Sequence, residues 1–389
     1  MKVPISYNLR NLWRRRLTTT LTIGGIALVV FAFAAVLMLA HGLEVTLVAT
    51  GTKGNVIVLR KGSSSEMLSI VTREDAGVIK SLPEVALTGD NKPLAVTEVV
   101  VIINLMKIGS NDMGNINARG TTAEALLLRP NINFIEGHMF QPGSTEIIVG
   151  KSIAQRFQGC QLNNKLKFGK QYWTIVGIFE DGGTGFESEV WGDVEQLMPA
   201  FGRPVYSTTT IRLKSGAQFE SFQQHFITDL RLKSFEPKEE LKYYAEQSQF
   251  LATFIRVLGL VITIIFSIGS VIGAMITMYT AVANRTKEIG TLRALGFKKF
   301  TILFAFIIES FIISFLGGIL GLVLASFLQF FTISTINWNT FSELAFGFQL
   351  SPSIIIFTML FAVLMGLGGG LFPAVRAARL KIVDSLRGS

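Results

Sequence analysis

Residue types that commonly carry catalysis or bind metals are few and widely separated in this chain. The three histidines, His41, His138 and His225, form no pair with the spacing of metal ligands. The single cysteine, Cys160, excludes an intramolecular disulfide. The glycines of 181–185 could form an anion-binding nest, but a turn is the favoured interpretation. The sequence also lacks a G-x-x-x-x-G-K-S/T phosphate loop, so we expect no catalytic residue, metal ligand or cofactor on this chain.

Composition indicates an integral membrane protein. The mean hydropathy is +0.47, and 49% of the 389 residues are hydrophobic whereas only 16% are charged. A membrane-spanning helix needs roughly 20 apolar residues to cross a hydrocarbon core about 30 Å thick. Four segments meet this requirement, and they comprise residues 17–40, 251–283, 300–333 and 354–375. The first is about twice as long as the apolar part of a usual signal peptide, so we expect an uncleaved signal anchor.

Basic residues are concentrated beside the predicted spans. Residues 1–16 contain five cations and no anion, residues 284–299 contain five cations and one Glu, and residues 376–389 contain four cations and one Asp. By contrast, residues 41–250 contain 21 cations and 23 anions. The positive-inside rule predicts a multi-pass protein of the inner (plasma) membrane, with both termini and the 284–299 loop in the cytoplasm. Because the basic residues flank the spans, we expect contact with membrane lipid and none with nucleic acid.

The segment between the first two spans alternates short β-like runs with helical stretches. Candidate strands are 55–59, 98–106, 146–149, 172–179 and 208–213, and candidate helices are 73–81, 151–157 and 217–233. An unbroken pattern from Pro237 to Gly259 predicts a helical stalk that becomes the second span. We therefore expect an α-helical membrane protein with four transmembrane helices in a one-plus-three order. A large extracytoplasmic (periplasmic) α+β domain, residues 41–250, is inserted between helices 1 and 2.

Two shorter segments complete the predicted organisation. Residues 1–16 place apolar side chains at helical spacing beside arginines, which predicts an amphipathic helix on the cytoplasmic surface. The outer loop 334–353 contains Trp338 and several Phe residues but no Lys or Arg. Because aromatic residues favour the membrane–water boundary, we expect this loop to lie near the outer interface.

Small residues recur at a spacing of four in three of the spans. The pairs are Gly269 and Gly273, Gly317 and Gly321, and Gly366 and Gly370. Such pairs let helices approach closely, so we expect a tightly packed helical unit or a dimer.

A single carboxylate, Glu309, lies within the third predicted span. A charge at the centre of a bilayer costs about 2.5–3.5 kcal/mol on insertion scales. Glu309 could pair with a neighbouring helix or be protonated. Because the four spans contain no second carboxylate that could complete a proton relay, we favour a structural polar contact.

The loop at 284–299 has the pattern of a short surface helix. A polar start is followed by Ile289, Leu292 and Leu295 at i, i+3 and i+6, and Gly296 is a natural stop signal. The pattern alone fits either a loop that only marks topology or a coupling helix that contacts a cytoplasmic motor protein.

Three segments resemble the FtsX-like permeases of ABC transporters of the MacB type. They are RTKEIGTLRALGFKKFTILFAFIIESFIISFLGGILG, GGGLFPAVRAARLKIVDSLR and NLRNLWRRRLTTTLTIGGIALVV. The resemblance implies a transmembrane subunit without its own ATPase domain, paired with a second permease that is either an identical or a related chain. It implies a separate ABC ATPase subunit, in two copies per complex, that would bind ATP and Mg. The residues that it assigns to ATPase coupling are Lys287, Glu288, Ile289, Gly290, Thr291, Leu292, Arg293, Ala294, Leu295 and Gly296.

The same resemblance implies that ATP-driven motion reaches the outer domain and performs work there. We expect a permease that drives export of a peptide, antibiotic or lipid-like substrate together with a periplasmic adaptor, which is a membrane-fusion protein. The first alternative is a permease that releases lipoproteins from the membrane. The apolar run Val99–Leu105 could contribute to that function, but a buried strand is the favoured explanation of this run. The second is a non-transporting transducer that regulates a cell-wall hydrolase.

Overall fold

The computed structural model describes residues 13, 15–214 and 219–382, which form two compact units. The helical unit contains the residues up to 41, residues 253–331 and the residues from 347 onward. The α+β unit contains residues 42–252 and 332–346. Most of the predicted amphipathic segment 1–16 and the end of the tail 376–389 lie outside the described residues, so those assignments stay predictions.

Four of the described helices are long and apolar enough to cross a membrane. In chain order the α-helices are α1 (Arg16–Thr50), α2 (Arg73–Lys80), α3 (Ala125–Leu128), α4 (Lys151–Arg156), α5 (Val194–Ala200), α6 (Phe219–Thr228), α7 (Glu240–Asn284), α8 (Thr286–Ala294), α9 (Lys299–Ser326) and α10 (Pro352–Arg379). The membrane-length helices are α1, α7, α9 with its 3₁₀ extension to Phe330, and α10. One of them precedes the α+β domain and three follow it, which confirms the predicted one-plus-three order.

Two of these helices are longer than a bilayer requires. Helix α1 has 35 residues and α7 has 45, whereas roughly 20 apolar residues suffice to span a membrane. The predicted spans 17–40 and 251–283 therefore cover only part of each helix. The long helix predicted to begin near Pro237 begins at Glu240.

Small residues permit close helix crossings inside the helical unit. A β-carbon added at Gly321 of α9 would lie 2.6 Å from the carbonyl oxygen of Ala27 in α1. One added at Gly370 of α10 would lie 1.8 Å from Oγ of Ser310 in α9. No larger side chain fits at these crossings, where packing replaces the hydrophobic driving force that lipid removes.

The α+β unit is built on one mixed sheet of ten strands. These are β1 (Asn55–Arg60), β2 (Ala95–Met106), β3 (Met113–Thr121), β4 (Asn133–Gly137), β5 (Glu146–Gly150), β6 (Lys165–Phe168), β7 (Gln171–Glu180), β8 (Glu189–Asp193), β9 (Thr208–Arg212) and β10 (Phe235–Glu239). The spatial order is β10-β1-β9-β2-β3-β8-β5-β7-β4, and β6 pairs with β7 off this path. The pairs β3–β8 and β5–β7 are parallel, and the other pairs are antiparallel.

Both faces of the sheet carry a hydrophobic core, because successive strand residues point to opposite faces. In β5, Ile147 and Val149 pack in one core with Trp173, whereas Ile148 packs in the other core with Trp191. The run Val99–Leu105 lies in β2, where most of its residues are buried. Its apolar character is therefore explained by the core of the domain.

A network of buried charges joins strands at the centre of the sheet. Arg119 of β3 contacts Glu66, Glu98 and Glu189 at 2.9, 3.1 and 2.7 Å. Arg129 donates to both carboxylate oxygens of Glu98 at 2.7 and 2.8 Å. Burial alone would raise the pKa of Glu98, but Arg129 and Arg119 lower that pKa to about 2. All five side chains are buried, so each charge depends on its partners.

The glycine-containing turn at 181–185 is occupied by a carboxylate of the same chain. Gly182 and Gly183 have φ angles of 63° and 80°, in the left-handed region. The backbone N–H groups of Asp181 and Gly183 donate to Oε1 of Glu187 at 2.8 and 2.7 Å. The amides that could have held an external anion are thus already paired, which agrees with the interpretation of this segment as a turn.

The segment between α9 and α10 forms a β-hairpin. Its strands, β11 (Thr332–Ile336) and β12 (Glu343–Gly347), pair with each other. Residues 332–346 belong to the α+β unit, and Phe346 is only 3% exposed. Phe346 is therefore buried within the protein, and the position of this loop near the outer membrane interface stays a prediction. Trp338 is 59% exposed, and its place at that interface stays a prediction.

Replacing Arg129 with Met should destabilise the α+β unit strongly, because Glu98 would lose its bidentate partner in a buried site. Breaking a buried pair on one side costs about 3–5 kcal/mol. Chemical unfolding of the full chain in detergent, followed by near-UV circular dichroism, measures the change. Arg73→Met is the matched control, since the Arg73–Glu195 pair is about half exposed and such pairs contribute at most about 1 kcal/mol. Equal effects of the two variants would mean that the buried network stabilises the unit no more than an exposed ion pair does.

Candidate functional site

A short separate helix, α8, connects two membrane-length helices. Helix α7 ends at Asn284, and α8 begins at Thr286, after one intervening residue. That residue, Arg285, has a non-helical backbone with φ −112° and ψ 15°. Its carbonyl accepts the first intrahelical hydrogen bond of α8, from the Ile289 N–H at 2.9 Å. The predicted helix in the 284–299 loop is therefore present as an independent element.

The end of α8 is fixed by a Schellman motif. The Gly296 N–H donates to the carbonyl of Arg293, and the Phe297 N–H donates to the carbonyl of Leu292, both at 3.2 Å. Gly296 has φ +94°, a conformation that glycine adopts without the steric cost of a β-carbon. The stop signal in the sequence thus acts as predicted, and α9 follows after a short turn.

The two faces of α8 differ sharply in burial. Ile289 and Gly290 are buried, and Ile289 belongs to the core of the helical unit together with Val282 and Phe306. Leu292 and Arg293 are partly buried. The exposed residues of the predicted coupling set are Lys287, Glu288, Thr291, Ala294, Leu295 and Gly296. The helix therefore docks by one face and presents a mixed polar and apolar face, on which Leu295 is 67% exposed.

The start of α8 is tied to α9 by a buried ion pair. Arg285 approaches the two carboxylate oxygens of Glu309 at 2.8 and 3.3 Å. Arg285 is 7% exposed and Glu309 is 3% exposed, so the pair is shielded from solvent. The planar guanidinium matches a carboxylate with two donors and thereby fixes orientation as well as distance. The structure thus supplies the polar contact that the sequence led us to expect for Glu309.

The other end of α8 is tied to α10. The Nη1 atom of Arg293 donates to the carbonyl oxygen of Ala378 at 3.0 Å. Ala378 lies in the last turn of α10, where carbonyl groups lack partners within the helix. A cation at this position also interacts favourably with the negative end of the helix dipole. Helix α8 is therefore bonded to α9 at its start and to α10 at its end.

The predicted packing glycines fall into two groups. Gly317 and Gly321 approach α1, and Gly366 and Gly370 approach α9; a β-carbon at Gly366 would lie 2.2 Å from that of Ser314. By contrast, a β-carbon at Gly269 or Gly273 would meet no atom within 4 Å among the described residues. These two glycines of α7 line an apolar groove of about 690 Å³, together with Leu28 and Phe31 of α1.

The side chains that could carry catalysis are not brought together. Within residues 15–214 and 219–382 no group of three or more His, Cys, Asp and Glu side chains could hold a metal ion. His225 pairs with Glu84 at 3.0 Å, and His138 is exposed. Cys160 is buried, and burial raises the pKa of its thiol to about 12. Leu295 beside α8 is 67% exposed, whereas Cys160 and its thiol are buried.

Arg285 is the residue at this site whose contact the sequence did not reveal. It precedes the predicted coupling set and lies 24 residues from Glu309 in the sequence. A cation at the membrane boundary next to a buried carboxylate in the following span is the signal that could have identified it.

Two sequence models of protein families match this chain. The sequence model of the MacB-like periplasmic core domain matches residues 19–228, and that of the FtsX-like permease C-terminal region matches residues 260–382. The macrolide export ATP-binding/permease protein MacB of Escherichia coli is 26% identical over 398 residues, which cover 95% of this chain and 58% of that protein. An uncharacterised ABC transporter permease of Methanocaldococcus jannaschii is 26% identical over 236 residues, which cover 59% of this chain and 58% of that protein.

The matches leave part of the relatives unaccounted for. The chain spans 58% of each of these two relatives and 38% of the MacB protein of Bdellovibrio bacteriovorus, to which it is 25% identical over 62% of its own length. A solved structure of the periplasmic region of MacB from Actinobacillus actinomycetemcomitans has a TM-score of 0.37 and 9% identity, covering 49% of this chain and 90% of that one. A structural likeness this weak carries no argument.

Replacing Glu309 with Ala should release the start of α8, because Arg285 would remain buried without its counter-charge. The expected cost of about 3–5 kcal/mol corresponds to at least a hundredfold faster hydrogen exchange of the amides in 286–294. Mass-spectrometric exchange on the full chain in nanodiscs measures this. Lys287→Ala, at an exposed position of the same helix, serves as the control and should leave the exchange rate nearly unchanged. The double variant Arg285→Glu with Glu309→Arg restores the opposite charges and should slow hydrogen exchange of these amides again. An exchange rate as fast as that of Glu309→Ala would contradict the pairing.

Proposed function

The chain belongs to the FtsX-like ABC transporter permeases with a MacB-like periplasmic core domain, and from this premise we propose that it transmits the motion of a separate ATPase to that domain. It is a multi-pass membrane protein, and its matched regions are those of a permease. In this proposal ATP and Mg are bound by the partner subunit. This chain provides the surface that the ATPase contacts and the long helices that transmit its motion.

The observation that carries the proposal is the one-sided burial of α8. Ile289 anchors α8 in the helical core, while Glu288 of α8 and Leu295, which follows the helix, are exposed. The exposed side thus combines an apolar residue with polar and charged residues, a composition that protein-binding surfaces share. Because Arg285 and Arg293 bond this helix to α9 and α10, a push on its exposed face acts on both helices together.

The charge distribution supports a cytoplasmic position for α8. The 284–299 loop is as basic as the segments at either end of the chain, whereas the 41–250 domain has nearly balanced charge. Under the positive-inside rule the exposed face of α8 and both termini then lie in the cytoplasm, where an ATP-binding subunit would dock.

Helices α1 and α7 provide the mechanical connection in this proposal. At 1.5 Å per residue they are about 52 and 67 Å long, which exceeds a hydrocarbon core of about 30 Å. Each is one continuous helix in the structure, Arg16–Thr50 and Glu240–Asn284. An unbroken helix resists bending, so movement at one end is carried to the other.

We propose that the transmitted motion drives export of a peptide, antibiotic or lipid-like substrate together with a periplasmic adaptor. The support is the match to the MacB-like core domain over residues 19–228 and the name of the relatives as macrolide exporters. The run Val99–Leu105 no longer favours lipoprotein release, because it is a core strand. Co-purification of the full chain with adaptors from the same cells tests this proposal. Export that continues in cells lacking every adaptor would overturn it.

A second permease completes the assembly, and we place it against the groove lined by Gly269 and Gly273. The remaining glycine pairs are already used by contacts within the chain, whereas this pair faces open space. Small residues at a spacing of four on an open face let a second helix approach closely.

The double variant Glu288→Lys with Leu295→Asp should uncouple the ATPase while the chain stays folded. Both substitutions are on the exposed face of α8, whereas Leu292 is partly buried and therefore a less specific probe. Loss of an apolar anchor at an interface costs about 1–2 kcal/mol, so we expect ATPase binding and stimulation to fall about tenfold or more. Titration of the reconstituted variant with the co-purified ATPase measures this.

The matched control for that experiment is Leu230→Asp. Leu230 is 80% exposed in the α+β unit, so the same chemical change is made away from α8. Unaltered ATPase stimulation in the double variant would argue against α8 as the contact. ATP hydrolysis by the purified chain alone would argue against a separate motor.

Replacing Gly269 with Leu should weaken permease pairing without unfolding the chain, because the added side chain enters open space within the protomer. We expect the dimer fraction in membranes to fall at least severalfold. Förster transfer between labelled copies in vesicles measures pairing. Ile268→Leu, an exposed neighbour on α7, is the control. Equal pairing of the Gly269→Leu protein and the control would exclude this groove.

A further inference from the structure

The hairpin of β11 and β12 is joined to the membrane-length helices by very short connections. One residue, Phe331, separates the 3₁₀ extension of α9 from β11, and four residues separate β12 from α10. An extended residue spans at most about 3.6 Å, so these connections leave little slack. Displacement of the ends of α9 and α10 must therefore pull on the hairpin.

A single carboxylate holds the hairpin to two other elements of the α+β unit. Glu343, the first residue of β12, contacts Nζ of Lys107 at 2.5 Å and Nη2 of Arg156 at 2.8 Å. Lys107 follows β2 at the tip of the β2–β3 hairpin, and Arg156 is the last residue of α4. The Glu343 side chain is 7% exposed, whereas those of Lys107 and Arg156 are 32% and 24% exposed. Two cations from separate elements thus converge on one nearly buried anion.

The carboxylate of Glu343 has room in this site because residue 114 is a glycine. A β-carbon added at Gly114 of β3 would lie 2.9 Å from Oε1 of Glu343 and 2.7 Å from the ring of Phe157. Two further bonds reinforce the contact: Nδ2 of Asn115 donates to the Phe341 carbonyl at 3.0 Å, and the Ala345 N–H donates to Oγ of Ser188 at 3.1 Å. The hairpin is therefore docked by side chains and backbone together.

We infer that Glu343 is a positioning residue that clamps the β11–β12 hairpin to the periplasmic domain and makes it a further strut for the transmitted motion. This inference rests on the proposed function. A free loop of this length would absorb displacement of α9 and α10, whereas a docked hairpin passes that displacement to β3 and α4. This connection acts in addition to α1 and α7. The hairpin is joined to α9 and α10, which are the two helices to which α8 is bonded.

Glu343→Lys tests the clamp, because it opposes two cations with a third. The first readout is labelling of Ala345→Cys by a membrane-impermeant maleimide in the full chain. Ala345 is 8% exposed, and Cys160 is fully buried with a pKa raised to about 12 by burial, so the background is low. We expect labelling to be at least tenfold faster in Glu343→Lys. The triple swap with Lys107→Glu and Arg156→Glu should slow it again. Glu180→Lys, which disrupts the exposed Lys151–Glu180 pair, is the matched control.

The second readout separates the strut from the proposed function. Spin labels at Leu230→Cys in the two copies of the complex with its ATPase report the distance between periplasmic domains with and without ATP. We expect a shift in the wild-type background, a reduced or absent shift in Glu343→Lys with ATPase activity retained, and recovery in the triple swap. Unchanged labelling or an unchanged shift in Glu343→Lys overturns the inference alone. No shift in the wild-type background overturns the proposed function, and the strut with it.

Discussion

The buried ion pair between Arg285 and Glu309 is the constraint on which the arrangement of the helical unit depends. A carboxylate within an apolar helix bundle must be neutralised by a partner, and a single partner with two donors also fixes its direction. Here the partner is the residue that separates α7 from α8. The requirement to pair one charge in α9 therefore determines where α8 begins. The exposed face of α8 consequently has a defined orientation relative to α9.

Buried charges are also paired with one another in the α+β unit, where more residues take part. Arg119 and Arg129 connect three glutamates that come from β2, β8 and the 3₁₀ turn at Glu66–Leu68. Paired charges in a low-dielectric interior attract each other strongly, and their hydrogen bonds reinforce one another. The network thereby ties β2, β3, β8 and the 3₁₀ turn together within the unit.

The sequence predicted those features that depend on local pattern. The four apolar helices follow from length and composition, and α8 follows from the spacing of Ile289 and the stop at Gly296. Strand β3 was missed, because its sequence, MGNINARGT, contains two glycines and two asparagines, and tertiary packing overrides its low strand propensity. The Arg285–Glu309 and Glu343 contacts join residues distant in sequence, and periodicity contains no information on such partners.

The glycine pairs show how one pattern can have two outcomes. Gly321 and Gly370 contact neighbouring helices so closely that no β-carbon fits, whereas Gly269 and Gly273 face an open groove. A spacing of four between small residues therefore predicts that a helix can be approached closely, but it does not identify the approaching helix. Contacts within the chain cover the glycine pairs of α9 and α10. Among the described residues, the glycine pair of α7 is left uncovered in its groove. The uncovered glycines lie on α7, one of the two helices that are longer than a bilayer requires.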